Sequence, residues 1–238
     1  METVNYGELA SGYDLKTSLL KHGLVKVLCP NPIELKEFEA ISETLGKPLV
    51  TDRHVLNDKR TVQELSNNGL FSNDDVGWHH DWSYGRGNYF GTILYNVKNA
   101  HLSPTWFCDM SKAPQSLKDD YVGMIGSYYP PIDLLDKCFT DRQLKLLSKQ
   151  KVTRPFIINH HVTNEEILYY SISTIQEISP KLLWEDLEFN RIKEWVEENA
   201  IIHEWENNDI LIWDNLKMQH KRVAFEGERM LWRTQFII

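Results

Sequence analysis

Cysteine is scarce in this chain and shows no pairing pattern. The 238 residues hold three, Cys29, Cys108 and Cys138. An odd count without CxxC spacing excludes a disulfide framework and a zinc ribbon, and it fits a reducing cytoplasm. Basic clusters are missing as well. The net charge is −8 and lysine and arginine form no run, which argues against a nucleic-acid partner. No apolar run approaches the ~18 residues that would suggest a bilayer span. The polar, acidic start METVNYGELASGYDL lacks the character of a signal peptide. The expectation is a cytoplasmic protein without a membrane or nucleic-acid partner, its oligomeric state left open. Repeats, low-complexity tracts and Gly/Ser linkers are also absent, so one domain over residues 1–238 is the simplest organisation.

Aromatic residues are plentiful. They make up 11% of the chain, with eight tryptophans, against an ordinary 42% hydrophobic and 25% charged content. That balance favours large packed sheets or an aromatic-lined pocket. Early in the chain, residues 14–22 predict a helix ending at Gly23. A second helix is predicted from a cap at Asn31, with Pro32 at its first position and Gly46 beyond its end. Leu35, Phe38, Ile41 and Leu45 share one face of it. GLVKVLC between them reads as a strand. From about Gly87 the pattern turns β-like: NYFGTILYNV, RPFIIN (154–159), ILYYSI (167–172), DILIWD (209–214) and RMLWRTQFII (229–238). One late helix, around 187–199, interrupts them. Irregular strand spacing without strand–helix alternation predicts a mainly β fold with flanking helices, a jelly roll or related cupin-like barrel.

The stretch GWHHDWSYGRGNYFGT, residues 77–92, concentrates metal-ligand chemistry. His79 and Asp81 have the i, i+2 spacing that points both side chains to one side of an extended segment, while His80 points away. Two histidines and a carboxylate on one face suit non-haem iron and leave three positions open. The same residues also fit a packed aromatic edge or a wet turn. A third ligand has to come from elsewhere. His220 is the best placed, after the strand-and-loop DILIWDNLKMQH and before an arginine-rich final strand. In that strand Arg229 and Arg233 are four apart and share a face. Two buried guanidinium groups need anions, supplied either by internal acids or by a carboxylate ligand held bidentately.

At this point the sequence resembles the taurine dioxygenase (TauD/TfdA-like) group of Fe(II)- and 2-oxoglutarate-dependent oxygenases. WHHDWSY resembles the group's WHxD segment, and PTWFCDM its Thr-x-x-x-Asp-Met block. PFIINHHVTNEEILYYS resembles a block that usually reads His-Pro, then Thr-Gly and Leu-Tyr. HEWENNDILIWDNLKMQH and GERMLWRTQF resemble its Trp-Asp-Asn, distal histidine and arginine run. The blocks keep their order over roughly residues 20–238.

The resemblance implies a double-stranded β-helix in which His79, Asp81 and His220 bind Fe(II). It implies that Thr105 and Arg229 hold the far carboxylate of 2-oxoglutarate, with Arg233 beside them or on an acidic group of the substrate. The implied reaction consumes O2 and 2-oxoglutarate, releases succinate and CO2, and oxidises an unactivated C–H bond of a small molecule. Halogenating relatives lack the carboxylate ligand, so Asp81 argues for hydroxylation or another oxidation over halogenation. Some positions depart from the group's pattern. Asn208-Asp209 replaces Gly-Asp, Trp232-Arg233 replaces His-Arg, and the proline and glycine near His160 and His161 are lost. These changes alter the pocket walls and leave the substrate open.

Trp82, Tyr84, Arg86, Asn88 and Tyr89 follow the metal motif and are candidates for the substrate mouth, with core packing or a solvated turn as the alternative. A small polar substrate, first of all a free amino acid, suits an arginine among aromatics. Two other readings compete: a non-catalytic cupin-like binding protein, and a zinc hydrolase using the same three ligands.

Overall fold

Two facing β-sheets organise the computed structural model, which describes residues 1–51, 54–67, 72–85, 90–135, 139–180 and 189–238. The strands of the first half are β1 (Glu2–Asn5), β2 (Leu24–Leu28), β3 (Lys47–Pro48), β4 (Gln63–Ser66), β5 (Val76–His79), β6 (Phe90–Lys98), β7 (Thr105–Asp109) and β8 (Ile125–Tyr128). Those of the second half are β9 (Val152–Pro155), β10 (Ile157–Asn159), β11 (Glu166–Leu168), β12 (Ile175–Ser179), β13 (Ile201–His203), β14 (Ile210–Asp214), β15 (Met218–Arg222) and β16 (Met230–Ile237). The larger sheet runs β1-β2-β14-β6-β16-β3, with β4 also paired to β16. The smaller runs β13-β7-β15-β5, and the segment between β7 and β13 folds into β12-β8-β9 and β10-β11.

Alternation along the strands explains the layers. In β14, Ile210 and Ile212 face the helices over Leu15–His22 and Leu35–Leu45, packing with Leu19, Phe38, Ile41 and Leu45. Leu211 and Trp213 face the other way and meet Phe107 and Met218 of the smaller sheet. A strand buried on both faces needs a continuous apolar run, and ILIW supplies one. Behind the smaller sheet, the helix Asn190–Glu198 packs Ile192 and Val196 into a third cluster with Trp78 and Cys108. This is the mainly β jelly roll with flanking helices that the strand pattern predicts. No helix among the described residues is long and apolar enough to cross a membrane.

Several boundaries differ from expectation. The first helix is Leu15–His22, capped by Asp14 and closed by Gly23 in the left-handed region at φ 70°. The second begins at Leu35, not Pro32. Ile33 is buried and donates its N–H to the Tyr95 hydroxyl at 3.1 Å, which holds the entry extended. Glu37 then accepts from the backbone N–H of Glu34 at 2.7 Å. RPFIIN is two strands, because the chain changes partners at the fully buried Phe156. ILYYSI keeps its strand only to Leu168, and Ser171 instead accepts from the backbone of His80 at 3.0 Å. The late helix starts at Asn190, and residues 187 and 188 lie outside the described residues, as do Arg86, Asn88, Tyr89 and Cys138.

Phe38 joins the Leu35–Leu45 helix to the larger sheet through contacts with Tyr95 and Trp232. Phe38→Ala is expected to cost about 3–5 kcal/mol of unfolding free energy in a urea titration. A cost below about 1 kcal/mol would show that the helix lies outside the cooperative core.

Candidate metal centre and anion pocket

Strand register brings His79 and His220 together. β5 and β15 are antiparallel with His79 directly opposite His220. Both rings therefore leave the same face, with centroids 4.2 Å apart. His79 Nδ1 lies 2.8 Å from the Gly77 carbonyl oxygen. A carbonyl only accepts, so Nδ1 carries the proton and Nε2 keeps its lone pair. Asp81 lies just past the end of β5. Its Oδ1 is 3.4 Å from His79 Nε2 and 3.6 Å from His220 Nε2. One ligand atom from each of the three lies within 4.8 Å of the others, a spacing that ligand bonds of about 2 Å can bridge.

The charge states suit a cation. Burial alone would raise the Asp81 pKa. A hydrogen bond from His220 and the charge of Arg233 hold it well below the usual carboxylate range. Burial keeps His220 below its ordinary value, and the neighbouring His79 adds to that. An ionised carboxylate and a neutral imidazole are the forms a metal requires.

His80 turns away from this cluster. Its ring stacks on Tyr169 at 4.5 Å, and Nδ1 donates to the Asn215 carbonyl at 2.8 Å. Burial pushes its pKa down to about 3, so it stays neutral.

Asn215 and Asp214 lock the turn that delivers His220. The Asn215 side chain accepts from the Asp81 N–H at 2.8 Å and donates to the Asp81 carbonyl at 3.0 Å. Asp214 Oδ1 accepts from the N–H groups of Leu216 and Lys217, at 2.9 and 3.3 Å. Its Oδ2 lies 2.8 Å from His160 Nε2. His160 Nδ1 accepts from the backbone of Val162 and Thr163, so the proton sits on Nε2 and points at Asp214. His160, without a role from sequence, is thus a brace 54 residues from the turn it holds. His161 packs beside it, ring to ring at 4.8 Å.

Two cavities open from the cluster. One is lined by Thr105, Leu94, Trp213, Arg222, Arg229 and Arg233 together with the three cluster residues. Arg229 is buried, and its Nε has no hydrogen-bond partner among the described residues. Burial, with Arg222 adding repulsion, pushes its pKa down to about 9. Among the described residues neither Arg229 nor Arg233 makes a salt bridge to an acid, so internal ion pairs do not account for them there. Thr105 Oγ1 accepts from the Trp205 indole at 2.9 Å, leaving its own hydrogen free to donate. A buried cation beside a hydroxyl donor makes a carboxylate site.

The second cavity is lined by Trp82, Tyr84, Pro131, Leu134, Leu135 and Phe139, with Asp81 and Arg233 also in its lining. Arg233 spans both cavities, held by Gln63 Oε1 through Nε at 3.1 Å and Nη2 at 2.5 Å. Trp82 and Tyr84 line this cavity, while Arg86 and Asn88 fall outside the described residues. Sequence reasoning missed Arg222, which lines the first cavity, and Gln235, whose Nε2 donates to Asp81 Oδ2 at 3.1 Å. Each is two residues beyond a chosen residue on the same strand, His220 and Arg233, and strand alternation marks both.

The sequence model of the "Taurine catabolism dioxygenase TauD, TfdA family" matches residues 11–235. A taurine dioxygenase from Burkholderia xenovorans is 19% identical with a TM-score of 0.71, over 98% of this chain and 80% of its own. The structure of AAD-2 in complex with Mn(II) and N-oxalylglycine is 17% identical with a TM-score of 0.70, over 95% of this chain and 88% of its own. No curated protein sequence matches significantly. With the family model spanning nearly the whole sequence, the chain belongs to the TauD/TfdA family and is a 2-oxoglutarate-dependent non-haem iron dioxygenase.

Proposed function

We propose that His79, Asp81 and His220 hold the Fe(II) that this family uses, and that Arg229, Arg222 and Thr105 hold the far carboxylate of 2-oxoglutarate. The observation that carries the assignment is the buried Arg229 guanidinium with an unpartnered Nε, opening on the same cavity as the cluster. A buried cation without an anion is costly, and a dicarboxylate reaching from the metal position removes that cost. Bound iron and 2-oxoglutarate supply the oxidising chemistry: O2 and 2-oxoglutarate are consumed, succinate and CO2 leave, and a substrate C–H bond is oxidised. The protein's own residues orient and enclose. Trp205 takes a lone pair of the Thr105 hydroxyl and so aims its hydrogen toward the carboxylate. Leu94, Trp213 and Leu231 wall the cavity and exclude water.

The substrate we propose is a small carboxylic acid with an apolar body, of which a free amino acid with an apolar side chain is one case. The second cavity supports this, because its walls are mainly apolar and Arg233 in its lining offers a cation for the acid group. One domain over residues 1–238, acting in the cytoplasm on a small molecule and needing neither nucleic acid nor membrane, completes the proposal.

Arg229→Leu is expected to leave the thermal stability of the metal-free protein unchanged or higher. It should raise the 2-oxoglutarate concentration for half-saturation by about 100-fold. A fall in stability with normal half-saturation would make the arginine a structural residue. A succinate-release screen should respond to carboxylates with apolar bodies, amino acids among them. A response to sulfonates or betaines alone would contradict the proposed substrate class.

A further inference from the structure

We propose that Gln235 is a positioning residue that ties the candidate metal ligand Asp81 to Trp82 in the wall of the substrate cavity. The inference rests on the reading of His79, Asp81 and His220 as the metal site. The two Asp81 oxygens have different surroundings. Oδ1 faces His79 and His220 from the smaller sheet. Oδ2 faces the larger sheet, where Gln235 Nε2 donates at 3.1 Å and Thr92 Oγ1 donates at 3.2 Å. Gln235 and Thr92 are direct partners across β16 and β6, so the two donors come from rigid neighbouring strands.

The other end of the Gln235 amide is also engaged. Its Oε1 accepts from the Trp82 indole at 3.3 Å. An indole N–H only donates and a carboxylate only accepts, so these two bonds fix which way the amide faces. Trp82 itself needs holding. It has φ 55°, unusual for a bulky residue, and the residue is 42% exposed and lines the substrate cavity.

Two consequences follow. With Oδ2 saturated by Thr92 and Gln235, Asp81 meets a metal through Oδ1 alone, which keeps one more coordination position free for cosubstrate and oxygen. The same amide makes the pose of Trp82 depend on the pose of the carboxylate. One side chain therefore sets both the ligand geometry and one wall of the substrate cavity.

The test is an anaerobic Co(II) titration of the full chain, following visible d–d absorption, with wild type, Gln235→Leu, Trp82→Phe and Asp81→Ala. The expected result for Gln235→Leu is an affinity lower by about 10- to 100-fold and a changed d–d spectrum at saturation, as Oδ2 becomes free to coordinate. Trp82→Phe removes the anchor of the amide oxygen and should move both readouts in the same direction by less. That variant keeps the test decisive should Gln235→Leu not fold. Unchanged affinity and spectrum in both variants, with Co(II) binding lost in Asp81→Ala, would overturn the role of Gln235 alone. Co(II) affinity and spectrum left unchanged by Asp81→Ala would overturn the metal-site reading itself.

Discussion

Two hydrogen bonds between the Asn215 side chain and the backbone of Asp81 fix the centre of this molecule. They join segments 134 residues apart. They engage the N–H and the C=O of the one residue, so the peptide units on both sides of Asp81 are tied to the β14–β15 turn. The turn itself is held by Asp214, which three donors saturate: two backbone N–H groups and His160. Everything that needs His220 and Asp81 at a defined separation depends on this clamp. A buried polar network of this kind is worthwhile only when fully satisfied, and here each carboxylate and amide atom of Asp214 and Asn215 has a partner.

The two sheets contribute different chemistry. The smaller sheet presents the histidines, on adjacent strands in direct register. The larger sheet presents Leu231, Arg233 and Gln235 of β16, with Arg229 just before that strand, while Arg222 comes from β15 of the smaller sheet. Asp81 stands between them, with one oxygen toward each sheet. The cavity on the Arg229 side is cationic with apolar residues between its cations, while that on the Trp82 side is mainly apolar with Arg233 in its lining. An anion entering the first cavity meets unsatisfied donors; an apolar body entering the second loses little hydration that it would wish to keep.

The strand pattern made the fold legible, because β14 carries a buried apolar run that a doubly covered sheet explains. The cluster was legible too, since His79 and Asp81 have local spacing and His220 follows a readable strand. Other parts depended on distant contacts. The start of the Leu35–Leu45 helix was misread because the Tyr95 hydroxyl, 62 residues away, holds Ile33 extended. The split at Phe156 was hidden because either half of RPFIIN reads as strand. His160 looked idle because its partner Asp214 belongs to a different motif. Family membership then selected the oxygenase over the zinc-hydrolase and non-catalytic readings that the cluster alone left open.

The most direct measurement of the central claim is an anaerobic titration of the metal-free protein with Fe(II) and then 2-oxoglutarate, following the visible charge-transfer band of the iron–2-oxoglutarate complex. The account predicts a weak band in the wild type that is lost in His220→Ala. Iron binding without a band, or a band of full strength in His220→Ala, would contradict the assignment of the metal centre and its adjoining anion pocket.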